Sequence, residues 1–256
     1  MTEFGEASVL GGLSSGSSGR ATVNRATPST VAGFPVEPVW VECDSLRLPL
    51  LVVQHLEAYV DTQRLLRDQH APEPPYWAHV WPGSRYLARL MANTPCTGRR
   101  VVDIGCGLGL AGIVAGLRGA AATLVDTAGE GLQLARANAT LNGLIPDHCG
   151  RAENGSGRGR VTVVQTDVRR PGLRGRFDCV LAADVTYDPA LQRALAIFVA
   201  EHLAPYGRAW CAESVRTFDQ GFRQTCEAQG LRVTESVVRE RDEEREVPVR
   251  LTEVCW

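Results

Sequence analysis

From Arg99 to Trp256, short apolar runs alternate with stretches of helical periodicity, and that alternation leaves few folds open. The runs fall at 101–104, 122–125, 161–164, 177–183 and 208–212, with helical patterns at 110–118, 130–141, 190–203 and 218–228 between them. Two further alternating runs, 231–238 and 247–255, close the chain across a charged link at 239–246. Apolar, β-branched runs separated by helices predict parallel strands covered on both faces and joined by right-handed crossovers. The short final link predicts an antiparallel hairpin. The expected fold is α/β and Rossmann-like, with seven strands, mostly parallel, ending in that hairpin.

Ahead of this core, residues 1–36 are rich in Gly, Ser, Thr and Ala and read as a disordered tail, since they offer little apolar area to offset ordering entropy. Residues 37–98 read as an N-terminal cap: strands or extended segments at 39–41 and 46–53, a helix at 59–67, and a helix opening at Pro82 whose Tyr86, Leu87, Leu90 and Met91 share one face. The segment 147–160 reads as a surface loop.

Open parallel sheets bind ligands beyond the carboxyl ends of their strands, so the first strand-to-helix turn is where chemistry is expected. It reads Asp103-Ile104-Gly105-Cys106-Gly107-Leu108-Gly109. Gly107, Gly109 and Gly112 also satisfy the Gly-x-Gly-x-x-Gly pattern of dinucleotide sites, which alone is weak. Asp103 tips the choice, because an acid at the strand end suits a pyrophosphate poorly. S-adenosyl-L-methionine has no phosphate; it carries a sulfonium and an ammonium that a carboxylate favours. Asp103, Gly105, Cys106, Gly107 and Gly109 are therefore the expected cofactor turn. Asp126, ending the next run, is expected on the ribose hydroxyls, with a helix N-terminal acid as the alternative. Asp167 is expected on the adenine amino group, with a turn cap as the alternative.

The fourth run ends Ala182-Ala183-Asp184-Val185-Thr186-Tyr187-Asp188-Pro189, which sets an acid and a phenol at the mouth of the sheet. Upstream, Pro75-Tyr76-Trp77-Ala78-His79-Val80-Trp81-Pro82-Gly83 supplies aromatic faces for a channel wall, with ordinary core packing as the alternative for Trp77.

The Tyr-Trp-Ala-x-x-Trp-Pro-Gly segment at 76–83, the glycine turn at 103–109 and the Asp-x-x-Tyr element at 184–187 together resemble the seven-β-strand protein lysine methyltransferases. The resemblance is to the branch containing the electron-transfer-flavoprotein β-subunit lysine methyltransferase and its bacterial relatives, and it covers residues 74–256. It implies a class I S-adenosylmethionine-dependent methyltransferase fold. It further implies cofactor contacts from Trp81, Gly105, Gly107, Asp126 and Ala183, and an acceptor amine positioned by Asp184 and Tyr187. The implied partner is a protein presenting a lysine. Residues before about 71 and the length of the loop after 147 depart from that pattern.

A small-molecule N-methyltransferase would use the same cofactor residues, and a noncatalytic cofactor-binding domain is a third reading. The strand end is not Asn-Pro-Pro-Tyr, whose amide would suit adenine or glutamine acceptors. The formal charge of -2 gives no reason to expect a nucleic-acid partner, and no apolar run reaches the roughly 20 residues of a membrane span. Without a charged-then-apolar leader, a cytoplasmic protein is expected, with a faint organelle-import echo at 20–35. The eight cysteines form no Cys-x-x-Cys pair and do not cluster with the five histidines, so no metal site is expected and the thiols read as reduced. All 27 basic residues are arginine, through codon bias or through avoidance of self-methylation.

Overall fold

The structure is a computed structural model that describes residues 27–61, 67–68, 73–145, 157–214, 221–242 and 245–256. Strand β1 (Thr30–Val31) pairs with β2 (Phe34–Cys43), and β2 with β3 (Leu46–Val53), in a three-stranded antiparallel sheet. Ala32 and Gly33 both take positive φ, 53° and 84°, as a two-residue turn matched to strand twist requires. This shortens the expected tail: residues 30–31 and 34–36 are strand, held because Val36 is buried and Phe34 packs edge-on against Tyr59, at 5.0 Å, and Trp77, at 5.3 Å. Residues 1–26 lie outside the described residues, as do 62–66 of the expected 59–67 helix, where Leu56–Tyr59 is a single 3-10 turn. Residues 146–156 of the expected loop lie outside them too.

A second 3-10 turn, Tyr76–Ala78, precedes α1 (Pro82–Ala92), whose proline stands in the first turn where no amide hydrogen is needed. The main sheet then follows as β4 (Arg100–Ile104), α2 (Leu110–Leu117), β5 (Ala121–Asp126), α3 (Gly129–Leu141) and β6 (Arg160–Gln165). It continues with β7 (Phe177–Ala183), α4 (Pro189–His202), β8 (Leu203–Ser214), α5 (Gly221–Ala228), β9 (Arg232–Asp242) and β10 (Arg245–Cys255). The strand order is β6-β5-β4-β7-β8-β10-β9, parallel through β8, with β10 antiparallel to both β8 and β9.

This is the expected mostly parallel seven-stranded sheet with its C-terminal hairpin. Strand β8 is longer than its apolar run of 208–212, because Pro205 and the fully exposed Tyr206 interrupt the pattern of its first half. One face of the sheet packs α1, α2, α3 and the N-terminal sheet around Leu87, Met91, Ile113 and Leu134. The other packs α4 and α5 around Leu195, Phe198 and Phe222. Strand order reverses between β4 and β7, which is where such sheets leave a crevice. No described helix is long and apolar enough to cross a membrane.

Candidate functional site

A cavity of about 370 Å³ opens beyond the carboxyl ends of β4, β5, β6 and β7, within the size range of small-molecule sites. Ten of the twelve residues singled out in the sequence line it: Trp77, Trp81, Gly105, Cys106, Gly107, Asp126, Asp167, Ala183, Asp184 and Tyr187. Asp103 and Gly109 stand outside the lining.

The glycine turn forms the floor. Gly105 has φ +65°, and a Cβ there would lie 2.3 Å from Val185 Cγ1, so neither the backbone nor the space admits a side chain. The Cys106 N–H donates to Val125 O at 3.0 Å, and burial pushes the Cys106 thiol well above its ordinary range. The Gly107 N–H donates to Asp126 Oδ2 at 2.9 Å, and Asp126 Oδ1 accepts from the Ala128 N–H at 3.0 Å. Gly109 precedes α2 and packs toward Leu124 and Ala135, serving the turn rather than the cavity.

Asp103 departs from its expected role. It is 2% exposed, and its Oδ2 accepts from the Gly112 N–H at 2.9 Å, so it faces α2 rather than a ligand. Burial raises its carboxyl to about 7, against the opposing Gly112 hydrogen bond and with a further push from the Asp126 charge. A strand-end residue faces either the crevice or the covering helix, and sequence alone does not show which.

Asp167 is similarly engaged. Both carboxylate oxygens accept from Arg169 Nε at 2.9 Å, and this pairing holds the carboxyl below its ordinary range. Arg169 lines the cavity and was missed; an arginine two residues beyond a strand-end acid was the signal available.

Asp184 sits in left-handed backbone, φ 52°, at the end of β7. Its Oδ2 accepts from the Gly83 N–H at 3.0 Å, its Oδ1 accepts from the Ser214 N–H at 2.7 Å, and its own N–H donates to Ala212 O at 2.8 Å. The carboxylate thus clamps the first turn of α1 to the end of β8. Gly83 is required there, since a Cβ would lie 2.3 Å from Ala212 O and 2.5 Å from Asp184 Oδ2. Tyr187 is 73% exposed at the mouth, and partial desolvation together with the charges of Glu73 and Asp188 raises its phenol.

The aromatic segment forms the remaining wall. Trp81 Nε1 donates to Tyr76 O at 2.9 Å, and the His79 ring meets the Trp81 ring edge-on at 4.7 Å. Trp77 does two jobs, lining the cavity and packing on Phe34 and Gly131. His79, Tyr76 and Val185 also line the cavity and were not singled out, although each lies inside a segment that was.

Residues 76–183 match the family described as the methyltransferase small domain. That span holds the aromatic wall, the glycine turn and the end of β7. Among curated relatives, the electron transfer flavoprotein beta subunit lysine methyltransferase of Danio rerio is 36% identical over 120 residues, 46% of this chain and 41% of the relative. The Xenopus laevis protein of the same name is 32% identical over 139 residues, 52% and 49% of the two chains. The chain therefore spans about half the length of the curated relatives it matches. Among solved structures, a putative SAM-dependent methyltransferase from Streptococcus mutans superimposes with a TM-score of 0.54 at 15% identity, covering 85% of this chain and 55% of that one. The fold is thus the class I S-adenosylmethionine-dependent methyltransferase fold.

Proposed function

We propose that the chain is an S-adenosylmethionine-dependent protein lysine N-methyltransferase. The observation that carries the cofactor is how the turn spends its amides. Anion sites on such turns depend on unpaired N–H groups and the positive end of the following helix. Here the Gly107 N–H is taken by Asp126 and the Gly112 N–H by Asp103. The lining carries the carboxylates of Glu73, Asp126, Asp167, Asp184 and Asp188, while its arginine, Arg169, is paired to Asp167. Such a cavity disfavours a pyrophosphate and fits a phosphate-free ligand bearing positive charge.

When bound, S-adenosylmethionine supplies an electrophilic methyl group. Asp126 would hold the ribose hydroxyls with the lone pairs that Gly107 and Ala128 leave over, while Asp167 with Arg169 would hold the adenine. Gly105, Cys106, Gly107 and Ala183 form the floor, and Trp77 and Trp81 exclude water. Asp184 and Tyr187 guide the acceptor amine, Asp184 chiefly by fixing the Trp-Pro-Gly turn. In-line transfer rewards such alignment and needs a neutral amine. A lysine near the acidic lining is attracted as its ammonium, whose ordinary pKa is about 10.4, and gives up its proton to water as the aromatic channel desolvates it. The acceptor class is supported by the lysine methyltransferase names of the relatives. A cytoplasmic location is supported by the described cysteines, all free and mostly buried.

Titration calorimetry with S-adenosylhomocysteine, the demethylated product, and with NAD tests the cofactor. The product is expected to bind, more weakly to Asp126→Ala; binding of NAD in its place would overturn the reading.

A further inference from the structure

The N-terminal sheet lies ahead of the matched residues 76–183, yet it reaches the cofactor turn through one side chain. Asn138, on α3, is fully buried. Its Oδ1 accepts from the Leu51 N–H at 2.6 Å, and its Nδ2 donates to Leu51 O at 3.2 Å and to Leu108 O at 3.1 Å. The amide pairs with β3 as a neighbouring strand residue would, and its second hydrogen is spent on the glycine turn. We infer that Asn138 is a positioning residue, the junction through which the N-terminal sheet holds the cofactor turn in shape.

The turn is gripped from several sides. Val125 O takes the Cys106 N–H and Asp126 takes the Gly107 N–H, both from the main sheet. Asn138 takes the next carbonyl, that of Leu108, a residue lining the cavity. Removing the amide leaves buried backbone groups of Leu51 and Leu108 without their partner, and the Leu108 peptide then gains freedom to rotate. The same sheet also braces the opposite wall, where Phe34 packs edge-on against Trp77.

Asn142, one helical turn further on, separates positioning from plain structural support. Its Nδ2 donates to Pro49 O and to Asn138 O, both at 2.9 Å, so it fastens the same hairpin to the same helix without bonding to the turn.

The test compares Asn138→Ala with Asn142→Ala by thermal unfolding, by calorimetric titration with S-adenosylhomocysteine, and by amide hydrogen exchange of residues 107–109 in the ligand-free protein. Both variants are expected to lower the melting temperature. Asn138→Ala alone should weaken product binding at least tenfold and speed exchange in the turn at least tenfold, while Asn142→Ala stays within threefold of the parent in both. Equal effects of the two variants on turn exchange would overturn the inference and make Asn138 a fold-stabilising residue only. The affinity arm rests on the proposed cofactor and the exchange arm does not. A parent protein that binds no product would therefore defeat the functional reading while exchange still decides this one. Should Asn138→Ala fail to fold, the isosteric Asn138→Asp takes its place: it keeps an acceptor for the Leu51 N–H but has at most one hydrogen, when protonated, for the two carbonyls of Leu51 and Leu108, and it is judged by the same exchange criterion.

Discussion

Replacing Asp103 by asparagine should flatten the pH dependence of stability. In the fold, burial lifts this carboxyl from 3.8 to about 7, so between those values the folded chain holds a proton that the unfolded chain has released. Stability from this group is therefore full below about pH 4 and declines as pH rises toward 7. At about 1.36 kcal/mol per pH unit, the whole span is worth at most about 4 kcal/mol. Between pH 5 and pH 8 the loss is roughly 2 to 3 kcal/mol, because the slope vanishes once the folded carboxyl ionises. The introduced amide retains an oxygen for the Gly112 N–H, but its own hydrogens need partners, so absolute stability is a poor readout and the pH slope a good one. Urea unfolding of Asp103→Asn and the parent at four pH values across that range isolates the slope, since other titrating groups act equally on both. The parent should lose roughly 2 to 3 kcal/mol more than the variant. Parallel curves would refute the reasoning that this carboxyl lies desolvated against α2.

Other positions offer sharper steric or electrostatic tests. Gly105→Ala combines φ +65° with a Cβ 2.3 Å from Val185 Cγ1, so product affinity should fall at least tenfold, about 1.4 kcal/mol, by calorimetry. Adding Val185→Ala should recover only part of that loss, because the backbone strain remains. Gly83→Ala meets a backbone carbonyl at 2.3 Å and should cost about 2 kcal/mol or more in urea unfolding. Asp167→Ala should weaken product binding while leaving the unfolding midpoint nearly unchanged, since its partner Arg169 is solvent-exposed. Loss of stability without loss of affinity would make that pair structural.

The sheet was legible because strands covered on both faces must be apolar along their length, and the crossover helices keep their own period. The glycine turn, the ends of β5 and β7 and the aromatic segment were legible because each sits where such a sheet leaves a crevice. What each carboxylate does was not. Asp103 occupies the Gly112 amide, a role set by which way a buried side chain faces. Asp184 clamps backbone 101 residues away at Gly83, and Asn138 reaches 87 residues back to Leu51. No periodicity records bonds between segments so distant. The start of β2 was hidden for a related reason: residues 34–36 follow a Gly/Ser-rich stretch, and the burial of Val36 with the contacts of Phe34 on Tyr59 and Trp77 shows them packed.

Because the chain contains no lysine, methyl-lysine formed in its presence must come from another protein. Incubating the purified protein with methyl-labelled S-adenosylmethionine and a protein extract, then hydrolysing the protein fraction and identifying its labelled amino acids, tests transfer to lysine directly. The label is expected in methylated lysine, and to fall away with Asp126→Ala. Label confined to low-mass compounds, or protein label absent from lysine, would contradict the account.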